Sequence, residues 1–232
     1  MQISIIIPVL NELDVIQHQL DAFNKLEGEG HQLIFVDGES SDGSYEFLYS
    51  RFDHVYRSPP CRATQMNKGA SCAVGNTLVF LHVDTAFVSA CLSELDKCPH
   101  NWGFFSIRLS GAGVVYRMIE SGINIRSRVF NVATGDQTLF FSREFFDRLG
   151  GFPSIELMED IELARRAKRV FKPYILDDTV ISSSRRWERN GPIKTVLFMW
   201  YLQGLFKIGV RPFKLAEMYR SGDWFNFKRE KL

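Results

Sequence analysis

Three apolar runs set the frame for this chain. Residues Ile3–Val9 (ISIIIPV), His31–Gly38 (HQLIFVDG) and Asn76–Thr85 (NTLVFLHVDT) are rich in β-branched and aromatic residues. They lack the alternation of a half-exposed strand, so they read as strands buried on both faces. Between them lie segments with helical spacing: Val15, Leu20, Phe23 and Leu26 in the first, then Ser40–Phe52 and Arg62–Val74. His54–Ser58 reads as a short extra strand. Strand–helix–strand alternation at this spacing predicts right-handed crossovers and a mostly parallel sheet with helices on both faces.

The rhythm changes after Asp84. Trp102–Gly111 is expected to be an edge or antiparallel strand. Tyr116–Val129 is expected to be a helix with Arg117, Arg126 and Arg128 on its polar side. Gln137–Ser142 reads as a strand and Met158–Val170 as an amphipathic helix. Lys172–Ser184 reads as a strand pair or extended segment. A single α/β domain over 1–232 is expected, with a nucleotide-binding half at 1–100, a second half at 101–192, and an apolar helix with a basic tail at 193–232.

Charge separates these parts. The net charge is +1, but residues 1–184 carry 17 Lys/Arg against 23 Asp/Glu, and residues 185–232 carry 11 against 4. An acidic body disfavours nucleic acid, whereas a basic, aromatic tail suits an anionic partner. Cys61, Cys72, Cys91 and Cys98 have neither zinc-site spacing nor a nearby His cluster. They are read as reduced thiols of a cytoplasmic protein. Ile3–Leu10 lacks the basic start and small-residue cleavage site of a leader. Thr195–Phe206 is apolar nearly all round, but about 20 residues are needed to span a bilayer. It reads either as a buried helix or as one touching a membrane interface, which would place the chain peripherally at the inner face.

In open parallel sheets, ligands bind beyond the carboxyl ends of the strands. Polar residues gather at those ends: Pro8, Asn11 and Glu12, then Asp37 and Gly38, then Ser58, then Asp84. The first turn is PVLNE, so the glycine fingerprint of dinucleotide enzymes is missing and a dehydrogenase is disfavoured.

The strings SIIIPVLNE, VDGESSDGS, FLHVDT and MED ahead of an amphipathic helix resemble family-2 glycosyltransferases of the GT-A fold. SPPCRATQMNKGA, ATGDQTLFFSREFF, LMEDIELARR and SSSRRWERNG are similar to a bacterial subgroup labelled selenodomain-associated transferases. The resemblance implies a nucleotide-sugar donor, UDP-linked by expectation, and an unknown hydroxyl acceptor. It implies transfer with inversion. Asp84 would hold a divalent ion, Mn²⁺ or Mg²⁺, on the diphosphate, with His82 where relatives carry a further Asp. Asp37 would accept a hydrogen bond from uracil, and Pro8, Glu12, Asp42, Arg62 and Asn67 would complete the nucleotide pocket. Gly69 and Ala70 would let a helix approach the donor closely. Asp160 would be the general base and Glu159 would orient the acceptor or the base. Asp136 and Gln137 would meet sugar hydroxyls, and Arg186 and Trp187 would grip a phosphate and stack on a sugar. Two rivals stay open: a silent nucleotide-sugar-binding protein, and a nucleotidyltransferase.

Overall fold

The computed structural model describes residues 3–87 and 101–222 together with Leu92 and Leu95; the side chain of Arg186 is outside that set. One eight-stranded sheet organises the molecule. Its strands are β1 (Ile3–Val9), β2 (Gln32–Asp37), β3 (Val55–Arg57), β4 (Thr77–Phe80), β5 (Thr85–Phe87), β6 (Trp102–Leu109), β7 (Leu139–Ser142) and β8 (Tyr174–Ser182), in spatial order β3-β2-β1-β4-β7-β6-β8-β5. β3, β2, β1 and β4 run parallel, as the unbroken apolar runs require. β7 turns antiparallel against both β4 and β6, β8 runs parallel to β6, and β5 closes the edge antiparallel to β8.

Helices α1 (Leu13–Gly28), α2 (Ser44–Tyr49) and α3 (Arg62–Cys72) connect the parallel strands. Then come α4 (Val114–Phe130), α5 (Arg143–Arg148), α6 (Glu159–Lys168), α7 (Arg185–Asn190), α8 (Pro192–Lys207) and α9 (Pro212–Ser221). Two apolar clusters sandwich the sheet. One joins Ile5, Ile7 and Phe35 to Phe23 of α1, and the other joins Ile6, Ile34 and Phe80 to Met66 of α3 and Leu163 of α6. A third packs Phe198, Leu202 and Leu205 of α8 on Leu215 and Met218 of α9 and on Met158.

Two sequence expectations are corrected and two open alternatives are resolved. β4 stops at Phe80, so His82 and Asp84 lie in a turn and do not share a strand face. Of the two readings of β6, edge or antiparallel, the second forms: it pairs antiparallel with β7 and lies inside the sheet, parallel to β8 on its other side. Of the two readings of Lys172–Ser184, the single extended segment forms: Tyr174–Ser182 is one strand, with a register shift at Phe105/Ser106. Gly69 does bring its helix close, but to the sheet: a Cβ there would stand 2.4 Å from Ile6 Cγ2.

The seam between the parallel and antiparallel strands is tied by one side chain. From the start of α5, the Arg143 guanidinium donates to the carbonyls of Ala70 (3.4 Å), Ala73 (2.6 Å) and Gly75 (3.0 and 3.1 Å). These carbonyls lie in and after the last turn of α3, and Arg143 supplies their donors. Cys61 and Cys72 are free thiols, and Cys91 and Cys98 lie outside the described residues.

Candidate active site

A cleft of about 1140 Å³ opens where the carboxyl end of β1, the β4–β5 turn, the end of β8 and the start of α6 converge. Pro8, Asn11 and Glu12 line it from β1; His82 and Asp84 line it from the turn; Glu159 lines it from α6. Arg62 and Gln65 enter from α3, Asp136 from the 3-10 turn Gly135–Gln137, and Arg185 and Trp187 from α7. Lys194, Phe198 and Met199 of α8 and Tyr219 of α9 form a further wall.

Arg185 sits between two carboxylates. Its guanidinium lies 3.2 Å from Glu12 Oε2 and 3.5 Å from Asp84 Oδ2. Burial lowers the pKa of Arg185, but the hydrogen bonds and charges of Glu12 and Asp84 outweigh it and raise the net value. The sequence reading chose Arg186 and passed over its neighbour.

The two acids at the start of α6 face different surroundings. Glu159 is 3 % exposed, and its Oε1 lies 3.8 Å from Arg62 Nη1. Burial pushes its carboxyl up to about 7, the adjacent Asp160 adds to the rise, and Arg62 offsets part of it. Asp160 is tied down: Oδ2 accepts from the Gly135 N–H at 2.5 Å and Oδ1 from the Ile161 N–H at 2.7 Å. Gly135 is squeezed between two groups, because a Cβ there would meet His82 Nε2 at 2.5 Å and Asp160 Oδ2 at 3.3 Å. His82 Nδ1 in turn lies 3.2 Å from Asp136 Oδ1. Glu159 lines the cleft, while Asp160, half-buried beside it, is held by the Gly135 and Ile161 N–H groups.

Close to Asp160 and Asp136 is Arg126 of α4, expected on the polar side of its helix. Its Nε and Nη2 are buried with no hydrogen-bond partner. Burial lowers its pKa, and the charges of Asp160 and Asp136 work against that shift. Helical periodicity shows that Arg126 leaves the solvent face only when Ser127 is known to be buried, donating to Gln137.

Other expected site residues are spent elsewhere. Asn67 pairs with the backbone of Phe152, donating to its carbonyl at 2.8 Å and accepting from its N–H at 2.9 Å. Gln137 is fully buried; its Oε1 accepts from Ser127 Oγ at 2.7 Å and its Nε2 donates to the Phe105 carbonyl at 3.5 Å. Asp42 accepts from Ser44 N and Oγ and from Leu13 N, joining the starts of α1 and α2. Its pKa is lowered because these bonds outweigh the opposing effect of burial. Asp37 is fully buried at the end of β2; Oδ2 accepts from the Ser40 N–H, and Oδ1 has no partner.

The donor set suits a cation brought in with its ligand. Asp84 is a single half-buried carboxylate on the cleft, and no group of three His, Cys, Asp or Glu side chains among the described residues could hold a metal unaided. Mg²⁺-type sites commonly take one or two protein carboxylates and complete their shell with substrate phosphates.

The comparisons with known proteins agree with this geometry. Residues 4–96 match the Glycosyl transferase family 2 pattern. No curated protein sequence matches the chain. Among solved structures, it is similar to the mannosyltransferase PcManGT from Pyrobaculum calidifontis in complex with GDP-Man and Mn²⁺, with TM-score 0.63 and 16 % identity, covering 95 % of this chain and 68 % of that one. It is also similar to S. aureus TarS 1-349, with TM-score 0.63 and 16 % identity, covering 88 % of this chain and 66 % of that one. TarS in complex with UDP-GlcNAc gives TM-score 0.62 and 16 % identity over 80 % of this chain, which spans 59 % of that one. The chain is thus about two thirds the length of these neighbours. Residues 4–96 carry the family-2 glycosyltransferase pattern, and the chain shares the GT-A fold of these neighbours.

Proposed function

We propose that the cleft transfers a sugar from a nucleoside-diphosphate donor to a hydroxyl acceptor with inversion at the anomeric carbon. One observation carries the reading: Asp84 and Glu159, a ligand-type carboxylate and a near-neutral carboxyl, open into the same cleft. The neighbours hold GDP-Man and UDP-GlcNAc, so a nucleotide-sugar donor is the shared element. UDP is the donor expected from the resemblance; Asp37 itself is fully buried and is not among the residues that line the cleft.

Asp84 would hold the divalent ion together with the diphosphate oxygens. Such an ion neutralises the charge that develops on the leaving diphosphate. Arg185 and Arg62 add fixed positive charge on the same wall. Glu159 takes the proton of the acceptor hydroxyl as that oxygen attacks from the face opposite the diphosphate. A base is most effective when its pKa is near the working pH, and burial gives Glu159 that property. Asp160 supports it by holding Gly135, and its charge keeps the neighbouring proton affinity high. This differs from the family resemblance, which places the base at Asp160. Asp136 and Trp187, on opposite walls, are the groups available to a sugar. The halves 1–100 and 101–192 divide donor and acceptor handling, and a cytoplasmic location suits the free thiols and a nucleotide-sugar supply.

The test uses single-turnover sugar transfer and calorimetric UDP binding with Mn²⁺. Glu159→Gln keeps UDP affinity and loses about 10²–10⁴-fold in turnover. Asp160→Asn loses turnover less severely and shifts the pH profile. Full turnover in Glu159→Gln with loss confined to Asp160→Asn returns the base role to Asp160. Absence of any Mn²⁺-dependent nucleotide binding by the unaltered protein refutes the donor reading.

A further inference from the structure

Helix α8 has two working sides. Thr195, Phe198, Leu202 and Leu205 are buried against the body, whereas Ile193, Leu197 and Trp200 recur at i, i+4 and i+7 on the outside. Gly204 continues that row and Ile208 closes it. Helix α4 packs beside α8 and carries a second outer row: Val114, Met118, Ile125 and Val129, with Gly122 between. These apolar side chains are 48–78 % exposed, far more than a scatter of single surface hydrophobics would explain.

The charge around the rows is predominantly positive. α8 contains no acidic residue, and the only acid of α4, Glu120, pairs with Arg117 at 2.8 Å. Lys194, Lys207 and Arg211 are exposed around the rows, Arg128 is exposed but paired with Asp177 at 2.6 Å, and between residues 192 and 222 the only acid is Glu217. A second copy of the chain would bring like-charged rims together across a two-fold axis, which opposes self-association. An anionic lipid surface satisfies both features: apolar side chains enter the headgroup boundary and cations meet lipid phosphates. Trp200 is of the residue type that favours this boundary.

We propose that α4 and α8 form a docking surface for anionic lipid bilayers. None of the described helices is long and apolar enough to cross a membrane, so the contact is peripheral. Where the glycosyltransferase reading holds, an acceptor resident in that bilayer meets the cleft along the inner side of α8, where Lys194, Phe198 and Met199 line it.

The experiment is flotation of the full chain with vesicles of phosphatidylcholine, with and without phosphatidylglycerol. The unaltered protein floats with the anionic vesicles. Leu197→Glu/Trp200→Glu and Met118→Glu/Ile125→Glu each lower the partition coefficient at least about tenfold, with unchanged melting temperature and unchanged UDP/Mn²⁺ affinity. Should a Glu pair fail to fold, the corresponding Ser pair gives the same reading. The proposal is overturned if either pair leaves binding intact, if neutral vesicles bind equally well, or if sedimentation shows a dimer that the same substitutions dissolve. UDP affinity separates the two claims: a chain that floats but binds no nucleotide refutes the transferase reading and leaves the docking surface standing.

Discussion

Glu159→Gln is the most informative single change, because its effect on stability can be worked out before any activity is measured. The carboxyl is 3 % exposed, and burial first, then the charge of Asp160, raises its pKa from 4.5 to about 7. The folded state therefore holds this proton more tightly than the unfolded chain does. Below pH 4.5 both states are protonated and the group is neutral in its effect. Between pH 4.5 and about 7 the unfolded chain has released the proton and the folded one has not, so stability falls as pH rises. Above about pH 7 the loss is complete. At about 1.36 kcal/mol per tenfold change in proton affinity, it amounts to about 3 kcal/mol. A glutamine cannot ionise, so the variant escapes this loss. It gives up the attraction of Arg62, which stands 3.8 Å away and is half-exposed, and that offsets part of the gain. Urea unfolding of both proteins from pH 4 to 8.5 should show equal stability at the acid end, the variant pulling ahead through pH 5–7 and levelling at a gain of about 2–3 kcal/mol. For a chain of this size that is about 4–12 °C in Tm. A stability difference that stays flat across pH 4.5–7.5 would refute the argument that burial holds this carboxyl protonated, and with it the case for Glu159 as the base.

Asp84→Ala should abolish the gain in UDP affinity that Mn²⁺ confers, read by calorimetry with and without the ion; UDP affinity in metal-free buffer should stay within about twofold. Arg185→Ala should weaken UDP binding about 10-fold, the usual scale for one charge-assisted contact, and the loss should shrink at high salt. Asn67→Ala should cost about 1–3 kcal/mol of stability by leaving Phe152 backbone groups unpaired, with UDP affinity unchanged; a selective loss of nucleotide binding would restore Asn67 to the pocket. Gly69→Ala should destabilise by about 1–3 kcal/mol in thermal unfolding, because the added Cβ would stand 2.4 Å from Ile6.

The parallel half was legible because its signal is local. Ile3–Val9 and the end of β2 at Asp37 fall where the apolar runs place them, since strands covered on both faces have no reason to alternate. Asp84, Glu12 and Arg62 reach the cleft for a related reason: polar residues at consecutive strand and helix ends of such a sheet converge on one side. What stayed hidden depends on contacts distant in sequence. Asn67 and Phe152 are 85 residues apart, and nothing in RATQMNKGA signals that the amide is already taken. Gln137 is lost to Ser127, and Arg126 is turned inward by the same packing of α4 on the 3-10 turn. The interior place of β6 needed the knowledge that β8 would pair beside it. That Arg185 would reach both Asp84 and Glu12, the latter 173 residues away in sequence, is something composition does not record.

The Arg143 tie has a mechanical consequence. β4 and β7 pair from Thr77↔Ser142 to Phe80↔Leu139, and the guanidinium spans the same joint to three carbonyls on the donor side. A clam-shell hinge between the two halves would have to break that ladder and strip a half-buried cation of its partners. The sheet must therefore act as one stiff plate, and whatever shuts around a donor has to come from the rim segments that carry Arg185 and Asp136.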